Sequence, residues 1–441
     1  MQQRLSRIAA LAPARRREPV QERANTEAGE DDRLAPLLGA TIGRNRYGEH
    51  LIARQWYATP ETCEPSAETL RLLLGRRTKM RGRTRAYPDL RAMEAAVENA
   101  ADFSRWLFLD TETTGLAGGT GTYAFLVGLA WWDAGGLQTE QLFMRDHGEE
   151  YSVLLEIAER LRERPVLVTF NGKSFDWPLL ETRYRMTRSM ETPRVAAHLD
   201  FLHPARQLWR WQLSSVRLAD LERHVLGGDS LGWSRGDDID SSRIPEFYFD
   251  YLRGGAAEPL AGVFRHNRMD LRGLGALAGR VSKMIEESCD GAGAEASAGQ
   301  EPLELYGLSR YLERRGEAER ARTLYERVLE AGLPAQMDRN ARHELARLAK
   351  RQADFGRAAA LWKELMDHES PSFEACEQMA IHFERRAKDL TEAARVTRLG
   401  LRELRRAQRL GMIPAGRHAQ LAERFNRRLA RIEGKIGIAD A

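Results

Sequence analysis

The sequence predicts an α/β domain built on a mixed five-stranded sheet, followed by an all-α domain of helical repeats. Three observations carry this. Between Trp106 and Leu199 the patterns run strand, strand, strand, helix, strand, helix, strand. From Phe201 to about Glu287 the pattern is mainly helical. Further on, a motif returns at Ala321, Ala358 and Ala393, with spacings of 37 and 35 residues.

Taken in order, residues 1–35 are rich in Arg, Ala, Glu and Pro, lack periodicity and read as a disordered basic segment. Residues 36–100 form an N-terminal extension with a short helical pattern at Ala67–Leu74. Six of the ten residues 76–85 are basic, which reads either as a phosphate-contacting arm or as a flexible basic linker. Trp106–Asp110 is a short apolar run ending in a carboxylate, the pattern of a buried strand. Tyr123–Trp132 and Leu137–Met144 read as two more strands, with Ala134-Gly135-Gly136 as the hairpin turn. Glu149–Leu161 places Val153, Leu154, Ile157, Ala158 and Leu161 at helical spacing. Val166–Phe170 is a strand, Trp177–Met186 a helix and Val195–Leu199 a strand, after which Asp200 can cap a helix. This sheet domain spans 101–288, residues 289–300 have linker composition, and the repeats fill 301–441. Leu308, Leu345 and Ala380 keep the same offsets one helix earlier. With an aromatic at Tyr325 or Trp362, the region resembles tetratricopeptide repeats; a generic helical bundle is the alternative. Such a tail is expected to be separable, so that a chain ending near Ala292 keeps its fold.

Composition narrows the class. The 441 residues are 42% hydrophobic and 30% charged, enough apolar content to bury a core. The longest apolar run, Tyr123–Trp132, is far short of the ~18–20 residues of a membrane span. Ile8–Ala14 runs straight into Arg15-Arg16-Arg17 and does not read as a secretory signal. Cys63, Cys289 and Cys376 are too scattered for a disulfide framework or a cysteine metal knot. The expectation is a soluble cytoplasmic protein. Net charge is +5 over residues 1–100, −7 over 101–300 and +6 over 301–441. An acidic middle suits carboxylates gathered for metal ions, and basic flanks suit phosphates; ordinary solvated surface charge is the alternative for the flanks.

The chemistry concentrates in carboxylates. In Leu109-Asp110-Thr111-Glu112-Thr113-Thr114-Gly115-Leu116, strand alternation puts Asp110 and Glu112 on one face. Two such carboxylates repel unless a cation sits between them, and Mg²⁺ and Mn²⁺ take oxygen ligands of this kind. Gly115 lets backbone approach a ligand closely. Asp176 follows the turn Asn171-Gly172 and can cap the next helix, a role compatible with metal binding. Asn171 and Phe175 are placed to contact a sugar and stack on a base. His266 and Asp270, four apart, share a helix face. That pair reads either as a surface ion pair or as a metal ligand beside an imidazole that takes a proton from metal-activated water. Asp237, Asp238 and Asp240 read as a solvated loop rather than a second cation site. Trp131, Trp132, Trp209 and Trp211 read as core residues rather than base-stacking platforms.

Together, Asp110 with Glu112, then Asp176, then His266 with Asp270 resemble the three motifs of the DEDD superfamily of 3′–5′ exonucleases, which have a ribonuclease H-like fold. The glycine-rich continuation Gly118–Gly121 and the stretch 241–270 resemble more particularly the YprB-like family. The resemblance covers about Trp106 to Lys283 and implies a two-metal-ion hydrolysis of phosphodiester bonds in DNA or RNA. It implies that Asp110 bridges two divalent ions (Mg²⁺ or Mn²⁺) about 3.5–4 Å apart. Glu112 then binds one ion and orients the water, Asp176 holds the second directly or through water, Asp270 binds the first, and His266 is the general base. Thr113, Gly115, Leu116, Asn171 and Phe175 are the expected substrate-binding residues. One spacing departs: three residues separate His266 from Asp270, where the histidine subclass has four. Nucleic acid is the implied partner, and a protein partner is expected at the repeats. Two rival readings fit the same residues: a binding scaffold on the same fold, and a structure-specific endonuclease.

Overall fold

The structure is a computed structural model and describes residues 31–58, 66–75, 90–115, 121–133, 135–228, 233, 235–288, 301–367 and 372–439. The expected disorder of residues 1–30, the basic stretch 76–85, the linker 289–300, and Leu116 with Gly118 to Thr120 of the glycine-rich continuation lie outside the described residues.

Seven strands form one sheet: β1 (Ala40–Asn45), β2 (Gly48–Ala58), β3 (Trp106–Thr113), β4 (Ala124–Asp133), β5 (Gly136–Phe143), β6 (Val166–Thr169) and β7 (Ala197–Asp200). Their order is β1-β2-β5-β4-β3-β6-β7. The pairs from β1 through β3 are antiparallel, and β3-β6 and β6-β7 are parallel. The five expected strands are present, and the hairpin β1-β2 extends the sheet on the β5 edge, so the five-stranded count is corrected to seven. A helix, α1 (Asp31–Leu38), precedes the hairpin, where residues 31–35 were expected to be disordered.

The helices of the sheet domain are α2 (Ala67–Leu74), α3 (Leu90–Ala100), α4 (Glu150–Glu163), α5 (Asp176–Thr187), α6 (Leu202–Trp209), α7 (Leu218–His224), α8 (Ile244–Leu252) and α9 (Glu258–Glu287). Alternation along β3 divides its side chains between two cores. Trp106 and Phe108 belong to the one that includes Leu271, Leu274 and Leu277 of α9. Leu107 and Leu109 belong to the one that includes Val153 and Ile157 of α4 and Leu180 and Tyr184 of α5. Asp110 and Glu112 continue the even-numbered set, on the α9 side.

The C-terminal region is helical throughout its described residues: α10 (Pro302–Arg315), α11 (Ala318–Ala331), α12 (Ala335–Arg351), α13 (Phe355–Met366), α14 (Phe373–His382), α15 (Leu390–Arg409) and α16 (Ala415–Ala439). Ala321, Ala358 and Ala393, the residues that carry the sequence period, are all fully buried, as small residues are where helices meet. No helix among the described residues is long and apolar enough to cross a membrane.

The expectation of a separable tail meets a shared core. Leu208 and Trp209 of α6 belong to the same buried cluster as Tyr306, Tyr311 and Leu312 of α10. The helices approach so closely at Gly307 that a Cβ there would lie 1.9 Å from the Leu208 carbonyl oxygen. The Trp209 indole donates to Glu304 (2.8 Å), and the Tyr311 hydroxyl donates to the Leu72 carbonyl (2.8 Å). Ending the chain near Ala292 uncovers this surface, at about 1.5–3 kcal/mol for each large apolar side chain exposed. The truncated chain is therefore expected to melt well below the full chain and to bind a hydrophobic dye; equal melting temperatures would contradict the shared core.

Candidate active site

Asp110 and Glu112 sit near the end of β3, opposite Gly128 and Leu126 of β4, where the register shifts between Glu112 and Thr113. Such an irregularity re-aims side chains at the strand end. Gly128 matters for a steric reason. A Cβ there would lie 2.2 Å from Oδ1 of Asn267 on α9. That close approach lets Asn267, which is fully buried, donate from Nδ2 to Asp110 Oδ2 at 2.8 Å. Asn267 Oδ1 in turn accepts from Gln141 on β5 at 2.8 Å. Gly128→Ala is expected to push Asn267 off Asp110, costing about 1–3 kcal/mol by overpacking and lowering activity as well; thermal melting and turnover check it.

Asp176 opens α5, with Pro178 in its first turn, so the helix begins where expected. Asp176 is the first residue of the helix, after Phe175 at the cap position, and its side chain accepts from the Thr111 hydroxyl at 2.5 Å. The preceding turn is held by Asp200, which accepts from the backbone N–H groups of Asn171 (2.8 Å), Lys173 (3.1 Å) and Leu202 (3.1 Å). Asp200 thus caps the α6 end as expected and also fixes the loop leading to Asp176. Asn171 takes a left-handed φ of 73°, a conformation Asn tolerates. Phe175, beside Asp176, is 60% exposed, a large aromatic face left to solvent. Thr113 Oγ1 donates to the Gly115 carbonyl (3.0 Å), and a Cβ at Gly115 would meet open space.

His266 and Asp270 lie on α9, with His266 Nε2 3.7 Å from Asp270 Oδ2. The imidazole Nδ1 stands 2.9 Å from both carboxylate oxygens of Asp238. Asp270 Oδ1 accepts from Arg235, whose guanidinium also bonds Glu222 (2.5 and 2.7 Å) and Asp238 (3.1 Å).

The electrostatics gather these groups into one site. Burial, then the charges of Asp270 and Asp176, hold the Asp110 carboxyl well above the usual carboxylate range, against the opposing Asn267 hydrogen bond. Burial and the charges of Asp110, Asp270, Asp176 and Asp238 do the same to Glu112. Burial pushes Asp176 up to about 6, although the Thr111 hydrogen bond pulls the other way. Among the described residues, no three of these groups stand in a metal-coordinating arrangement. Asp110, Asp176 and Asp270 take Asn267, Thr111 and Arg235 as partners instead. The donor set still fits a hard divalent ion: the groups are all half-buried carboxylates, and their neighbours' charges raise Asp110 and Glu112, an effect that a cation among them would oppose.

All five residues expected to be catalytic are therefore brought to one place. The sequence reading passed over Asn267, although it lies between His266 and Asp270, and Thr111, between Asp110 and Glu112. Asp238 stood out only as part of an acidic loop. Here it serves His266, while Asp240 accepts from the Ser242 backbone N–H at 2.9 Å. Arg235, Glu222 and Gln141 carry no motif. The tryptophans are structural, as expected: Trp209 is buried, Trp132 meets Phe108 edge-on, Trp131 lies under Arg164, and Trp211 packs beside Tyr306.

Residues 107–282 match the family model of the RNase H superfamily. Protein YprB of Bacillus subtilis (strain 168), itself described as uncharacterized, is 30% identical over 298 residues, which span 67% of this chain and 68% of the relative.

Proposed function

Since the chain belongs to the YprB-like family of the RNase H superfamily, we propose that it is a divalent-metal-dependent 3′–5′ exonuclease acting on DNA or RNA. The observation that carries this reading is the convergence of four carboxylates: the charges of Asp270 and Asp176 add to burial in raising Asp110, and those of Asp110, Asp270 and Asp176 add to it in raising Glu112. Isolated carboxylates do not raise one another; four that converge at a strand end are suited to hold Mg²⁺ or Mn²⁺. Such ions, when bound, lower the pKa of water and neutralise charge at the scissile phosphate. The chain's own residues do the rest. Asn267 fixes Asp110, and Thr111 fixes Asp176. His266 presents Nε2 towards Asp270 and takes the proton of the attacking water. Phe175 offers a ring for stacking on the terminal base, and Asn171, Thr113 and Gly115 line the approach to it, with Leu116 kept as a substrate-binding residue on the sequence resemblance alone. The tail, read as tetratricopeptide-like repeats, supplies a surface for a protein partner.

A second reading, a nucleic-acid-holding scaffold, draws on the Arg235–Asp270 ion pair, which neutralises one carboxylate of the four. A labelled-oligonucleotide assay with Mg²⁺ or Mn²⁺ separates the readings. An exonuclease gives a ladder that shortens from the 3′ end and stops at a blocked 3′ terminus. Cleavage that ignores the block makes it an endonuclease, and binding without product makes it a scaffold.

A further inference from the structure

We propose that Asp238 is the positioning residue of His266, fixing the imidazole so that Nε2 is the free proton acceptor; this rests on the reading of His266 as general base. Both carboxylate oxygens of Asp238 stand 2.9 Å from Nδ1, and each side chain is only 13% exposed. A carboxylate facing a bare imidazole nitrogen sets lone pair against lone pair, so Nδ1 carries the hydrogen and donates it. The lone pair then belongs to Nε2, on the side of Asp270.

Asp238 is itself held. Its Oδ1 accepts from the Ile239 backbone N–H (3.0 Å), and its Oδ2 accepts from Arg235 (3.1 Å). Arg235 is pinned by Glu222, which is 3% exposed. Glu222 is wedged against α9: a Cβ at Gly273 would lie 1.9 Å from its Oε1. One guanidinium thus ties Asp238 to Asp270, and through Glu222 the whole group is referenced to the helix that carries His266. With His266 one helical turn before Asp270, the ring is aimed by a carboxylate from outside the helix.

The test is a double-mutant cycle on the full chain with Asp238→Asn and His266→Ala, read as kcat and KM on a short labelled oligonucleotide. Imidazole nitrogen chemical shifts of the metal-free protein are read alongside. Asp238→Asn keeps the shape but lets an amide N–H face Nδ1, which turns the ring to the wrong tautomer. The expected result is a fall in kcat of roughly 10²-fold with KM nearly unchanged, and no further fall in the His266→Ala background. Asp238→Glu, which keeps a carboxylate, recovers part of kcat. The shifts report a hydrogen on Nδ1 in the wild type and its move to Nε2 in Asp238→Asn. An equal fall in both backgrounds overturns the proposal, and so does a wild-type hydrogen on Nε2, which is readable even if the variant fails to fold. If His266→Ala alone leaves kcat intact, the general-base reading fails, and the shifts still decide whether Asp238 sets the ring.

Discussion

Asp110→Asn is expected to lower divalent-metal-dependent cleavage by more than about 10³-fold, since Asp110 would hold an ion that supplies several kcal/mol of transition-state stabilisation. The same change is expected to stabilise the metal-free protein. Burial, then Asp270 and Asp176, raise the Asp110 carboxyl, so the folded protein keeps a proton that the unfolded chain releases. Stability therefore falls as pH rises from the ordinary carboxylate range through the raised value. An amide at 110 removes that loss. Thermal melting without metal should place the variant above the wild type at neutral pH, with the difference closing in acid. A variant that cleaves like the wild type would remove Asp110 from the site.

His266→Ala is expected to lower turnover by roughly 10²–10⁴-fold, the usual contribution of a positioned general base. It leaves Asp110, Glu112, Asp176 and Asp270 in place, so Mn²⁺ affinity by titration calorimetry should hold. A loss smaller than tenfold with unchanged metal binding would make His266 a packing residue beside Asp238.

Particular residues show what the sequence disclosed and why the rest stayed hidden. Strands β3 and β4 are legible because they sit in the middle of the sheet and carry apolar runs, Trp106 to Leu109 and Ala124 to Trp132. Strand β2 was missed because it does not alternate. Leu51, Ile52 and Ala53 are buried in a row, Arg54 and Gln55 are exposed, and Trp56 is 47% exposed. Its place is set by pairing with β5, from Leu51 opposite Phe143 to Ala58 opposite Gly136, a contact no local pattern announces. Four of the five catalytic candidates were legible because short-range geometry joins them in pairs, Asp110 with Glu112 along a strand and His266 with Asp270 along a helix; the fifth, Asp176, was legible from the turn Asn171-Gly172 before its helix. Their supports are long-range. Arg235 reaches Asp270, 35 residues on, and Gln141 reaches Asn267, 126 residues on. Gly128 and Asn267 had a signal, a glycine within an apolar strand and an amide inside a motif, but only the packed helix shows that each requires the other.

The ion pair between Arg235 and Asp270 is where a metal site is most open to test, because a guanidinium stands where a ligand must turn towards the ion. The deciding measurement is anomalous scattering from crystals of the full chain soaked in Mn²⁺. Mn²⁺ peaks are expected among Asp110, Glu112, Asp176 and Asp270, and are lost in Asp110→Asn. Active protein with no Mn²⁺ at that cluster, and Arg235 still bonded to Asp270, would contradict a metal site there.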